Sequence, residues 1–148
     1  MTLAQIIKIK YRSPETKRLE FVGGITTSNW IDLSCDERTI LSKGEFKLIP
    51  LGVAMALPAD FEANVVPRSS TFSKYKILQV NSFGIIDNSF CGDNDYWFFG
   101  ALAMEDTVIE RGARICQFRI NKIQPPILFE TVEVTGNKSR GGHGTTGV

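Results

Sequence analysis

The chain has 148 residues, 43% hydrophobic and 22% charged, with a net charge of +1. That length suits one domain able to bury a core without disulfide or metal staples, and the composition excludes disordered and collagen-like chains. Near-neutral charge removes the electrostatic reason to expect a nucleic acid or a membrane surface as partner.

In chain order, period-2 alternation predicts strands over IIKIKY (6–11), FKLIPLGVAMALP (46–58), FEANVVP (61–67), ARICQFRIN (113–121) and ILFETVEV (127–134). Turn signals separate them, from SPET and VGG (22–24) through SKGE and PADF to DNSFCGDND, ERGAR and NKIQPP. One segment departs from this pattern. RSSTFSKYKI (68–77) follows Pro67 with Ser and Thr at a helix start, and Phe72, Tyr75 and Lys76 lie at helical spacing, so it is predicted as one short helix. Many short strands between polar turns point to an all-β fold, a jelly-roll-like sandwich or barrel.

Cys35, Cys91 and Cys116 form no CxxC pair and are expected to be reduced thiols in the cytoplasm. The single histidine, His143, argues against a His-rich zinc site or a His-based triad within one chain. The N-terminus lacks an apolar core behind a basic start, and nowhere do about eighteen apolar residues run together, so neither a secretory signal nor a membrane span is expected.

Five stretches mix Gly, Ser, Arg, Asp and Gln: NWIDLSC (29–35), VVPRSST (65–71), NSFGIIDNSFCG (81–92), RGARICQF (111–118) and RGGHGTTG (140–147). Singly, each has an ordinary explanation as a surface charge, a helix start or a polar strand face. Asp87 poses the sharpest choice. The apolar run Phe83–Ile86 ends in its carboxylate, which either caps a turn or is delivered to a cleft to handle a proton.

Together, in order and spacing, these stretches resemble the five motifs of the homotrimeric all-β deoxyuridine triphosphatase (dUTPase) family, of bacterial or phage type. The matches are Trp30-Ile31-Asp32-Leu33, Pro67-Arg68-Ser69-Ser70, Gly84 to Gly92 with Asn81 upstream, Gly112 to Gln117, and the Gly-rich tail with Arg140. Five ordered matches carry far more weight than one.

The resemblance implies hydrolysis of dUTP to dUMP and pyrophosphate, by water attacking the α-phosphorus. Asp87 would position and deprotonate that water. Arg68, Ser69 and Ser70 would meet the phosphates, Gln117 an α-phosphate oxygen or a metal-bound water, and Arg140 the γ-phosphate. Asn81 and the backbone of Gly84, Ile85 and Ile86 would read uracil. Phe90, where the family commonly has Tyr, would pack on the deoxyribose; its other reading is a core aromatic. Mg²⁺ is the implied cofactor, bound through phosphates and water without direct protein ligands, with Asp32 acting behind it or holding a phosphate-binding neighbour.

Residues 1–136 are expected to form the domain and 137–148 an arm closing over a site shared between subunits of a homotrimer. In that arm His143, followed by Gly144, stands where the family has a stacking Phe. Tyr96 or Trp97 is either a further lid over the base or a core or interface aromatic. Two alternatives stay open: a dCTP deaminase-like enzyme of the same fold, and a viral or phage dUTPase with an added regulatory, protein-binding role.

Overall fold

The computed structural model describes residues 4–21 and 28–144. The turn expected at 22–24 and the last four residues of the expected arm lie outside them. The elements are β1 (Lys8–Tyr11), β2 (Ile31–Ser34), β3 (Thr39–Leu41), β4 (Phe46–Pro50), β5 (Val53–Ala56), β6 (Phe61–Pro67), α1 (Thr71–Tyr75), β7 (Ile77–Gln79), β8 (Gly84–Ile86), β9 (Phe98–Ala103), β10 (Thr107–Ile109) and β11 (Arg114–Lys122). A four-stranded sheet in the order β2-β11-β6-β8 faces a three-stranded sheet β4-β9-β7, and two pairs, β1-β5 and β3-β10, complete the fold. All strand pairs are antiparallel. The architecture is the expected jelly-roll-like all-β one with one short helix.

The core is where the inner faces of the two sheets meet. Leu33, Val65 and Phe118 come from the first sheet, Ile49, Ile77, Phe99 and Ala101 from the second, all essentially inaccessible. Trp97 stands edge-on to Phe118, ring centroids 5.3 Å apart. Burying side chains of this size contributes about 1.5–3 kcal/mol each. Trp97 is therefore a core aromatic, not a lid. Cys35 and Cys116 are buried in the same core and Cys91 is exposed; all three are free. Burial raises both inner thiols above their ordinary pKa, Cys116 well above it, so neither is a ready nucleophile.

Three predicted elements come out differently. The run 46–58 is two strands, because the chain turns at Leu51–Gly52 and passes from β9's sheet to β1. Gly52 has φ +73°, and a Cβ there would lie 2.6 Å from the Thr16 methyl and 2.7 Å from the Asp36 carboxyl carbon. Only glycine fits both the backbone and the space.

The helix is confined to Thr71–Tyr75. Thr71 Oγ1 accepts from the Arg68 amide and donates to the Ile115 carbonyl, each at 2.8 Å, and Lys76 ends the turn at φ +54°.

The stretch 127–134 is no strand within this chain. Leu128, Phe129 and Val134 are 94%, 89% and 80% exposed, because no strand among the described residues lies alongside. A second apolar surface covers the outside of β4-β9-β7, where Phe46, Leu48 and Val80 converge over Gly100 and Leu78 and Phe98 stand nearby, all exposed. Among the described residues no helix is long and apolar enough to cross a membrane.

Candidate active site

β11 brings three of the five motifs together. On one side Gln117 is in register with Asp32 of β2; on the other it faces Val66 of β6, and Cys116 faces Pro67. Arg68 therefore emerges from the end of β6 beside Asp32. Its Nε lies 3.0 Å from Asp32 Oδ1, and Arg114 Nη1 approaches Asp32 Oδ2 at 3.5 Å. Arg114 also holds Glu20 at 2.5 Å. The result is a chain of alternating charge, Glu20–Arg114–Asp32–Arg68.

Asp32 and Arg68 are about two-thirds to three-quarters buried, so this pairing is screened less than an exposed one. Arg68's terminal nitrogens have no partner among the described residues. Gln117 Nε2 donates to the Pro67 carbonyl at 3.1 Å, fixing the amide. Asp32, Arg114 and Gln117 line a polar cavity of about 270 Å³, with Lys17, Arg18 and Trp30 at its rim.

Ser69 is exposed and Ser70 half-buried at the start of α1. Ser70 has φ −95°, so serine in place of the family's glycine costs no backbone strain. A five-residue helix has a weak dipole, and anion attraction here falls mainly to the Arg68 guanidinium and backbone N–H groups.

The third motif occupies a different part of the sheet. β8 is an edge strand, bonded to β6 alone, with Gly84, Ile85 and Ile86 opposite Val65, Asn64 and Ala63. One edge of its backbone is thus left for a ligand's hydrogen-bonding face. Asn81 lies in the tight turn before it, where Ser82 has φ +57° and the Phe83 amide donates to the Asn81 carbonyl.

Asp87 follows β8 directly and is exposed. It does cap a turn: its Oδ1 accepts from the Ser89 amide at 2.7 Å, and its carbonyl accepts from the Phe90 amide at 3.0 Å. The Ser89 amide and then its hydroxyl hold the carboxyl below its ordinary pKa. Both readings of Asp87 are compatible, since one oxygen is anchored and the other is left for a water. Phe90 is 40% exposed, too open for a core aromatic.

The two halves do not meet within one chain. Ile86 pairs with Ala63, so Asp87 stands level with Glu62, six residues along β6 from Arg68. At about 3.3 Å per residue that is roughly 20 Å. Arg140, His143 and Gly144 lie in an exposed tail that continues from residue 122. Tyr96 is half-buried beneath the Lys10 ammonium, 5.6 Å from its ring centroid, and Lys10 also donates to the Asp93 carbonyl.

Among the described residues no three of His, Cys, Asp and Glu converge to hold a metal, and both Asp32 oxygens face guanidinium groups. A divalent ion would take its oxygens from a bound triphosphate and water, which suits Mg²⁺. Glu20, which touches Arg114, and the buried Asn64, which touches Gly84, fall outside every motif; no spacing or composition signal marks either.

The dUTPase family profile matches residues 23–147. The SPbeta prophage-derived deoxyuridine 5'-triphosphate nucleotidohydrolase YosS of Bacillus subtilis (strain 168) is 51% identical over 141 residues, covering 95% of this chain and 97% of that one. The deoxyuridine 5'-triphosphate nucleotidohydrolase of Rickettsia typhi is 41% identical, covering 97% and 99%. Among solved structures, the dUTPase of Streptococcus mutans superposes with a TM-score of 0.69 at 23% identity, covering 83% of this chain and 98% of that one.

Proposed function

The chain belongs to the dUTPase family, and from that premise we propose how its residues carry the reaction. It is a hydrolase that converts dUTP to dUMP and pyrophosphate. In our reading, the free carboxylate oxygen of Asp87 orients a water and takes its proton as the water oxygen bonds to the α-phosphorus. The bond from the α-phosphorus to the oxygen that bridges it to the β-phosphorus breaks, and pyrophosphate leaves carrying that oxygen. A carboxylate with a lowered pKa is a weak base, so positioning supplies much of the rate.

Arg68, held at its Nε by Asp32, keeps its terminal nitrogens for a bidentate grip on phosphate. Ser69 and the Ser70 amide lie next to it for the α–β bridge, and Gln117 serves an α-phosphate oxygen. Asn81 and Gly84–Ile86 read the base, and Phe90 excludes a 2′-hydroxyl by shape. Mg²⁺ would be held by the phosphates and water and would supply charge neutralisation there, while Asp32, with both oxygens facing guanidinium groups, holds Arg68 in place. Residues 137–148 form the arm, in which Arg140 meets the γ-phosphate while His143 and Gly144 cover the base. Tyr96, packed against Lys10, is the candidate lid over the base; Tyr96→Ala with unchanged dUTP affinity removes it from the site.

The observation that carries this reading is the roughly 20 Å along β6 between Asp87 and Arg68. No single nucleotide reaches the attacking water and the Arg68 phosphate site of the same chain across that span while reading β8. A site shared between copies resolves this: one chain lends its third motif, a neighbour its phosphate-binding motifs, and another its arm. The apolar outer face of β4-β9-β7 and the exposed stretch 127–134 support a homotrimer, because both carry surface that isolated soluble chains keep small.

Mixing inactive chains tests it. Asp87→Asn and Arg68→Ala proteins, each inactive alone, should regain activity when co-refolded, in about one quarter of the sites if association is random. No recovery would mean that each chain carries a complete site. Pyrophosphate release across the eight common nucleoside triphosphates checks the substrate and separates this activity from a dCTP deaminase, which consumes dCTP without releasing pyrophosphate.

A further inference from the structure

β8 is three residues long and lies at the sheet edge, and two amide side chains outside every motif bracket its first residue, Asn64 by bonding β8 itself and Gln79 by bonding the β6 residue opposite. Gln79, the last residue of β7, donates from Nε2 to the Val65 carbonyl at 3.0 Å, and Val65 is the register partner of Gly84. A carbonyl can only accept, so this bond fixes which end of the amide is nitrogen. Asn64, buried on β6, donates from Nδ2 to the Gly84 carbonyl at 3.4 Å. Its Oδ1 in turn accepts from Asn121 Nδ2 on β11 at 2.6 Å.

Gly84 is thereby enclosed. A Cβ built on it would lie 3.0 Å from the Val65 carbonyl oxygen and 3.2 Å from Gln79 Nε2. Gln79 Oε1 is buried with no donor among the described residues. An apolar side chain of similar volume would avoid the cost of that unsatisfied acceptor. The amide is thus kept at the cost of one unpaired acceptor, for the bond it makes to the Val65 carbonyl opposite Gly84.

We propose that Gln79 and Asn64 are positioning residues for base selectivity. They set the backbone of Gly84–Ile86 at the height where its edge groups pair with uracil and reject a pyrimidine bearing a 4-amino group or a 5-methyl. The inference rests on β8 being the base-reading strand. Hydrogen bonds weaken steeply with misalignment, so a small shift of an edge strand spoils donor and acceptor together. A site built on such pairs discriminates strongly only while they are aligned.

The test uses Gln79→Leu, Gln79→Glu and Asn64→Asp; neither Leu nor an ionised carboxylate can donate to these carbonyls. Expected is a fall of about tenfold or more in the ratio of kcat/KM for dUTP to that for dCTP and dTTP, carried by KM, with kcat on saturating dUTP little changed. A lower unfolding midpoint with KM and selectivity unchanged would make both amides merely structural and overturn the proposal. Should Gln79→Leu fail to fold, the near-isosteric Gln79→Glu and Asn64→Asp carry the same readout. Gly84→Ala, which presses directly on the Val65 carbonyl, separates the two levels. If it alone relaxes selectivity, the amides do not position β8 and the proposal falls while β8 still reads the base. If it too leaves selectivity intact, β8 does not read the base and the proposal falls with that reading.

Discussion

At one end of β6, Arg68, Asp32, Arg114 and Gln117 are partly buried and paired with one another or with backbone. At the other end Asp87 stands exposed, held only by its own turn, and the tail from residue 123 onward is exposed throughout its described length. The contrast separates two kinds of preparation. The Arg68 end is organised by a sheet that one chain completes, so its charges are already paired and placed within the fold. The Asp87 end is organised locally, by a turn and an edge strand, and in the proposed shared site a neighbouring chain completes it.

The most severe way to probe that contrast is at the exposed end. Asp87→Asn should lower kcat by about 10²–10⁴-fold while leaving nucleotide binding nearly intact, measured by turnover and by calorimetric titration with a non-hydrolysable analogue. Near-normal turnover would move the general base elsewhere.

Removing residues 137–148 should come next. The described part of that segment buries almost nothing, so the unfolding midpoint should hold while activity drops by at least about tenfold through the lost Arg140 contact. Full activity in the truncated enzyme would make the arm dispensable.

At the ordered end, Asp32→Asn keeps the shape but removes the charge that fixes Arg68 and balances Arg114. A rise in KM of about tenfold, on the order of 1–2 kcal/mol, is expected with a smaller change in kcat. A fall in kcat with KM unmoved would instead tie Asp32 to the chemical step.

The smallest effect concerns pH. The Ser89 amide and hydroxyl hold the Asp87 carboxyl below its ordinary value, and in the proposed mechanism the ionised form is the base. Activity should therefore persist as pH falls until that lowered pKa is crossed. The acid limb of kcat/KM then lies below the ordinary aspartate value of about 3.9. Ser89→Ala, by removing the hydroxyl's share, should move the limb upward; a limb that stays put would detach Ser89 from the titration.

The five motifs were legible because each is short and its residue types carry their own chemistry. The strands at 8–11, 61–67 and 114–122 were also legible, because alternation along one chain records which face is buried. The run 46–58 misled because both of its halves alternate, and only the close packing of Thr16 and Asp36 against Gly52 reveals the break. Alternation also marked 127–134 as a strand, yet a strand needs a neighbour, and none lies beside it among the described residues. Gln79 and Asn64 gave no local signal at all. Their importance comes from a register that sets β8 beside β6.

Length and alternation by themselves determined an all-β chain, and the ordered motifs carried its resemblance to the dUTPase family and the expectation of Asp87 as base with Arg68 and Gln117 on the phosphates. These are properties of residue type and local order, which one dimension preserves. Only the tertiary structure decided that Asp32 grips Arg68, that Trp97 is core, and that Asp87 and Arg68 stand beside opposite ends of β6. Those facts depend on strand register, and register is set by long-range packing that no local pattern encodes.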